Sequence, residues 1–339
     1  MTSSGARPRA AVAGMPIAHS LSPVLHRAAY RALGFDWDYT AVECDESALG
    51  DLIARVRTEP GWVGLSLTMP LKTSVLAFLD RIDDTAAAVG AVNTVVVERD
   101  AVDSEDVDTD GPGANADRPL INGVRSASGP SGGVESRTGA ARRHFGPVHL
   151  AGFNTDVTGT AHAVTVVLGN GTPPRNPLVL GAGGTARAAL AALAALGAER
   201  VDLLARRPPA AAPLVAVGAA LGLAVTVHRW DTSGTGSSVG CPDPAGFLGA
   251  ADVVLATAPA GATDDLARRP WPASTALVEL LYHPWPTRLA AAAQAAGAPV
   301  AGGLVVLAAQ AAGQVRLFTG AEVDMDLLLD AGEAVLAAR

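Results

Sequence analysis

Pro177-Leu178-Val179-Leu180-Gly181-Ala182-Gly183-Gly184-Thr185-Ala186 is the stretch on which the fold turns. Four residues of an apolar run end in a cluster of glycines, and an alanine-rich helical pattern, Thr185–Leu196, opens at once. A strand that breaks on glycines and restarts as a helix is the βα unit of a parallel sheet. The glycines permit a tight turn and a close backbone approach. The helix N-terminus adds unpaired N–H groups and partial positive charge, so the loop suits a pyrophosphate. A glycine-rich turn without a ligand is the competing interpretation. The next strand, Val201–Leu204, carries the question further. An NAD site usually ends this strand in Asp or Glu, whereas here it runs into Ala205-Arg206-Arg207-Pro208. Two guanidinium groups suit a 2′-phosphate and favour NADP. The candidate cofactor-binding residues are therefore Gly181, Ala182, Gly183, Gly184, Thr185, Arg206 and Arg207.

The same rhythm extends in both directions. Upstream, Ala10–Gly14, Trp37–Glu43, Trp62–Leu67 and Val92–Glu98 read as strands, and Ser22–Leu33, Ser47–Val56 and Leu71–Leu79 as helices. Downstream, a strand at Val148–Gly152 and a helix at Asp156–Leu168 precede the glycine loop. Strands at Val225–His228, Asp252–Ala256, Ala276–Leu280 and Pro299–Ala301 follow it, then two long helices, Leu304–Phe318 and Val323–Ala338. The expected fold class is α/β with two domains and the site in the cleft between them. Residues 1–99 form the first domain. Residues 100–147, rich in Gly, Ser, Asp and Arg, read as a low-complexity insertion at the tip of a hairpin. Residues 148–302 hold the return strand and a Rossmann-type nucleotide-binding domain. Residues 303–339 are helices packing back on the first domain.

A length of 339 residues allows two domains, and 49% hydrophobic against 17% charged residues is a globular balance. A net charge of −8 argues against a nucleic-acid or anionic-membrane partner. Cys44 and Cys241 are too few for a disulfide framework, and neither they nor the histidines have metal-ligand spacing, so no metal is expected. With no signal-peptide or membrane-span pattern, a cytoplasmic location is the expectation. A small-molecule substrate is the expected partner, and a homodimer is compatible with the sequence.

Small polar residues stand at the ends of the early strands, where open α/β sheets bind ligands. Ser20 and Ser22 precede a helix that either could cap. Thr68 and Lys72 bracket the next strand-to-helix turn, Asn93-Thr94 lies in the following strand, and Asn154-Thr155-Asp156 follows the hairpin. Lys72 is the chain's one lysine, against 24 arginines. Arginine stays protonated across the accessible pH range, so a retained lysine suits proton transfer.

Gly14-Met15-Pro16-Ile17-Ala18-His19-Ser20-Leu21-Ser22-Pro23, Leu67-Thr68-x-Pro70-x-Lys72, Gly90-Ala91-Val92-Asn93-Thr94 and Gly152-Phe153-Asn154-Thr155-Asp156 resemble the motifs of shikimate dehydrogenases. So do the glycine loop, Tyr282-x-Pro284-x-x-Thr287 and Gly303-x-x-x-Leu307-x-x-Gln310. These matches run in family order over nearly the whole chain outside the insertion. The resemblance implies NADPH-dependent, reversible reduction of 3-dehydroshikimate to shikimate in aromatic amino acid biosynthesis, the chorismate route. It implies Ser20 and Ser22 on the substrate carboxylate, and Thr68, Asn93, Asp156 and Gln310 on the ring hydroxyls, with Tyr282 nearby. Lys72 and Asp156 would be the catalytic pair, with Leu280 and Gly303 near the nicotinamide. The chain departs from the family where Ser66 replaces a usual Asn, Glu279 a usual Asp, Val306 a usual Met and Ala205-Arg206-Arg207 a usual Asn-Arg-Thr that shares its first arginine, and where the insertion far exceeds the family's hairpin turn. The alternatives are an NAD-preferring quinate/shikimate dehydrogenase, against which Arg206 and Arg207 argue, and a non-catalytic binding protein on the same fold, against which Lys72 and Asp156 argue.

Overall fold

The computed structural model describes residues 6–99, 147–230 and 244–339. The insertion expected at 100–147 lies outside the described residues apart from Pro147, as does Cys241.

Twelve described strands form two six-stranded sheets. The first holds β1 (Arg9–Gly14), β2 (Asp38–Glu43), β3 (Trp62–Leu67), β4 (Arg81–Ile82), β5 (Thr94–Arg99) and β6 (Val148–Phe153) in the order β2-β1-β3-β5-β6-β4. β1 runs parallel to β2 and β3, while β5 is antiparallel to β3, with Ser66 opposite Thr94. The second sheet holds β7 (Pro177–Leu180), β8 (Arg200–Ala205), β9 (Ala224–Arg229), β10 (Val253–Ala256), β11 (Ala276–Glu279) and β12 (Val300–Ala301). All its pairs are parallel, in the order β12-β11-β10-β7-β8-β9. β7, β10 and β11 are buried at every position, as expected of strands covered by helices on both faces. The strand order reverses between β7 and β10, and that switch point leaves a crevice at the carboxyl ends of the strands.

The helices are α1 (Ser22–Ala32), α2 (Leu49–Thr58), α3 (Leu71–Ser74), α4 (Asp84–Val89), α5 (Thr155–Leu168), α6 (Gly184–Ala195), α7 (Ala212–Ala220), α8 (Pro244–Ala250), α9 (Arg288–Ala295), α10 (Gly303–Thr319) and α11 (Met325–Ala337). α10 leaves the second sheet at β12 and returns to the first, where Ala308, Ala311, Val315 and Phe318 join Leu25, Tyr30, Tyr39 and Leu328 in one core. α5 leads the other way, from β6 into the second sheet. It meets α10 at Gly159, where an added Cβ would stand 2.5 Å from the Val306 carbonyl oxygen. That contact brings the side chains of both helices to one cavity.

The structure departs from the sequence reading at several places. The helix expected over Leu71–Leu79 is one α-helical turn followed by a 3-10 turn, Val75–Phe78. β4, α4, α7, α8 and α9 were not anticipated. α4 is too short to show a period, although its ends are marked by Asp83, which accepts the Ala86 N–H at 2.9 Å, and by left-handed Gly90. α7 is apolar on nearly every side and β4 has two residues, so neither carries a periodic signal. Neither serine is the cap residue of α1: Leu21 holds that place, while Ser20 Oγ accepts the Ser22 N–H at 3.3 Å.

Candidate active site

A cavity of about 510 Å³ opens where the carboxyl ends of β1 and β3 face the switch point of the second sheet. Of the residues singled out in the sequence, Ser20, Ser22, Thr68, Lys72, Asn93 and Asp156 line it from the first sheet and α5. Leu280, Tyr282, Gly303 and Gln310 line it from the opposite side, and Thr185 reaches it from the start of α6. Gly181, Ala182, Gly183, Gly184, Arg206 and Arg207 do not line this cavity; they follow β7 and β8 at the neighbouring strand ends.

Lys72 Nζ donates to Asp156 Oδ2 at 2.6 Å, and Asn93 Nδ2 donates to Asp156 Oδ1 at 2.8 Å. Lys72 stands in the short helix after β3 and Asp156 in the first turn of α5, where a carboxylate also faces the positive end of the helix. Asn154 caps that helix by accepting the Asp156 N–H at 3.1 Å. The Lys72 side chain is 30% exposed and that of Asp156 11%. The pair is thus sheltered yet open to the cavity on the lysine side.

The glycine loop fits a dinucleotide on structural grounds. Gly181 has φ +107° and no room for a side chain, since a Cβ would lie 2.9 Å from Thr257 Oγ1. Gly183 and Gly184 instead border open space, and no side chain caps α6. A bare helix N-terminus beside open volume is what a phosphate needs. Arg206 and Arg207 are exposed immediately beyond β8.

Of the departures from the family, Ser66, Glu279 and Val306 fall at defined places. Val306 lines the cavity beside Gly303. Glu279 ends β11 fully buried, accepting the Thr287 hydroxyl at 3.0 Å and the Leu281 N–H at 3.4 Å. It thereby ties down the loop that carries Leu280 and Tyr282, and burial pushes its carboxyl up to about 7. Ser66 joins a buried polar group that the sequence did not disclose: Tyr39, Thr94, Thr155 and Gln314. Gln314 also lines the cavity. Its signal was available, since it lies one helical turn beyond Gln310 on α10. Thr257, Ala258 and Pro259, after β10, were likewise missed. Burial raises the Tyr39 and Tyr282 hydroxyls, and lowers the His26 imidazole, stacked on Tyr39 at 3.8 Å, to about 4. Among the described residues no group of three His, Cys, Asp or Glu side chains could hold a metal.

A doubly wound sheet with an open glycine loop, set against a second sheet that supplies a sheltered lysine–carboxylate pair, defines a two-domain α/β oxidoreductase class. Residues 12–95 match the family described as the shikimate dehydrogenase substrate binding domain. The shikimate dehydrogenase (NADP(+)) of Citrifermentans bemidjiense is 32% identical over 328 residues, covering 95% of this chain and 93% of that protein. The Mycobacterium tuberculosis shikimate dehydrogenase structure is 33% identical, covers 96% of this chain and 99% of that one, and superposes with a TM-score of 0.70. The Thermus thermophilus shikimate 5-dehydrogenase, solved with NADP(H) and shikimate, is 30% identical over 96% and 99% of the two chains, with a TM-score of 0.67. This chain belongs to the shikimate dehydrogenase family.

Proposed function

We propose that the protein catalyses the reversible, NADPH-dependent reduction of 3-dehydroshikimate to shikimate, within aromatic amino acid biosynthesis. The observation that carries this reading is the 2.6 Å contact of Lys72 with Asp156 inside a cavity also lined by Ser20 and Ser22. Full-length relatives named for the NADP-dependent enzyme support it.

The bound cofactor exchanges a hydride with the ring carbon. Gly181, Ala182, Gly183, Gly184 and Thr185 would hold its pyrophosphate, Arg206 and Arg207 its 2′-phosphate, and Leu280 and Gly303 would flank the nicotinamide. The Ser20 and Ser22 hydroxyls would donate to the substrate carboxylate. Thr68, Asn93, Asp156 and Gln310 would bind the ring hydroxyls beside Tyr282. In reduction, Lys72 Nζ gives a proton to the developing alkoxide; in oxidation it takes that proton back. Asp156 holds the ammonium in place through Oδ2, while its Oδ1 is occupied by Asn93.

On this reading residues 1–99 form the substrate domain, 148–302 the return strand and cofactor domain, and 303–339 the closing helices. We also place the enzyme in the cytoplasm, and its acidic balance supports a reading without nucleic-acid or anionic-membrane partners. Sedimentation tests whether it pairs as a homodimer.

The deciding experiment compares shikimate and quinate oxidation with NADP+ and NAD+. Shikimate with NADP+ is expected to be the best pair. No shikimate turnover with either cofactor sinks the assignment, and a preference for quinate with NAD+ replaces it with the catabolic alternative.

A further inference from the structure

The buried polar group beneath the cavity has a direction. Tyr39 OH donates to Ser66 Oγ at 2.7 Å, and Ser66 Oγ donates to Gln314 Oε1 at 2.8 Å. Gln314 Nε2 donates to the hydroxyls of Thr94 and Thr155, each at 3.2 Å. Those hydroxyls donate in turn to Asn93 Oδ1, at 2.8 and 3.1 Å, where the Thr155 N–H also arrives at 2.8 Å. Asn93 Nδ2 then faces Asp156 Oδ1. A hydroxyl that receives an N–H has its own proton free to point elsewhere. By donating to both hydroxyls, which also stand 3.2 Å from each other, Gln314 favours their protons pointing at Asn93 Oδ1, where they join the Thr155 N–H in holding the amide with Nδ2 toward the carboxylate.

We propose that Gln314 is a positioning residue: through Thr94 and Thr155 it fixes the orientation of Asn93, and through Asn93 the carboxylate of Asp156 against Lys72. This deepens the proposed function and rests on its assignment of Lys72 and Asp156. The same geometry accounts for Ser66. Its side chain is too short to meet both Tyr39 and Thr94, and the Gln314 amide fills the gap between them. An Asn at position 66 would stand directly across the strand pair from Thr94, within reach of its hydroxyl. Ser66 with Gln314 thus replaces one longer side chain by two shorter steps.

The test compares wild type, Gln314→Ala and the double variant Ser66→Asn/Gln314→Ala. In Gln314→Ala, kcat for shikimate oxidation is expected to fall about tenfold or more with KM within about threefold, as a misplaced catalytic group should behave. The double variant is expected to recover most of the loss. Because Lys72 is the only lysine, protein made with lysine carrying 13C at Cε alone gives one side-chain resonance, read without substrate. That line should move in Gln314→Ala and return in the double variant. An unmoved line with kcat within about twofold of wild type, or a double variant as slow as the single, overturns the proposal. If wild type itself does not oxidise shikimate, the proposed function fails, while the lysine resonance still reports whether Gln314 sets the pair.

Discussion

The two sheets meet at one cavity but build their share of it differently. The first sheet contributes side chains: Lys72, Asn93 and Asp156, held by buried hydroxyls and amides whose hydrogen bonds are all made inside the protein. The second contributes backbone: a loop of glycines that borders open space, and a helix start with no capping side chain. A small polyhydroxylated acid differs from its neighbours in the position of single hydroxyls, so it is discriminated by fixed donors and acceptors. A pyrophosphate is recognised by charge and shape, for which N–H groups and a helix end suffice.

The sharpest way to break this comparison is at the lysine. Lys72→Met is expected to lower kcat about 1,000-fold, near 4 kcal/mol, while leaving NADP affinity unchanged. Single-turnover assays with cofactor titration would read both. A loss confined to KM would mean that Lys72 only binds.

The next largest effect is on stability, and it has opposite signs in the two sheets. His26, fully buried on α1 where it stacks on Tyr39 of the first sheet, is lowered to about 4. Its contribution is present above pH 6.5, where the unfolded chain is also neutral, and is lost as pH falls through about 4. Glu279, buried in the second, is raised to about 7. Its contribution is present below pH 4.5 and is lost as pH rises through about 7. Each is worth about 3 kcal/mol at its limit. Glu279→Gln should therefore gain Tm over wild type on going from pH 5 to pH 8. A difference that does not change across that range would contradict the buried-carboxyl account.

Gly159→Ala tests the joint between the sheets. A Cβ 2.5 Å from the Val306 oxygen and 2.8 Å from Gln310 Cγ must push α5 from α10. A destabilisation of about 2 kcal/mol is expected, visible in urea melts, together with a raised substrate KM. The smallest effect is at the cofactor end. Arg206 is exposed, so Arg206→Ala should weaken NADP+ by about tenfold while sparing NAD+. Equal losses with both cofactors would remove the 2′-phosphate role.

The same contrast explains what the sequence disclosed. The glycine loop, the arginine pair and the second sheet's apolar strands are local patterns, readable because neighbours in sequence act together. Lys72, Asn93 and Asp156 were legible because each sits in a short motif at a strand or helix end. The group behind them was not. Ser66 meets Gln314 across 248 positions of chain, and Tyr39 meets Ser66 across 27. Helical spacing from Gln310 marks Gln314 as facing the cavity, and Ser66 stands out against the family motif, but no window of sequence marks the contact between them. Among the elements, α7 and β4 escaped for want of a period, while α4 was marked only by its caps.

α5 and α10 are the two passages by which the chain crosses between the sheets. They are also the carriers of Asp156 on one side and of Gln310 and Gln314 on the other. The crossings between the sheets and the walls of the cavity are thus the same two pieces of backbone, so the joint and the site share residues and neither can be redesigned without touching the other.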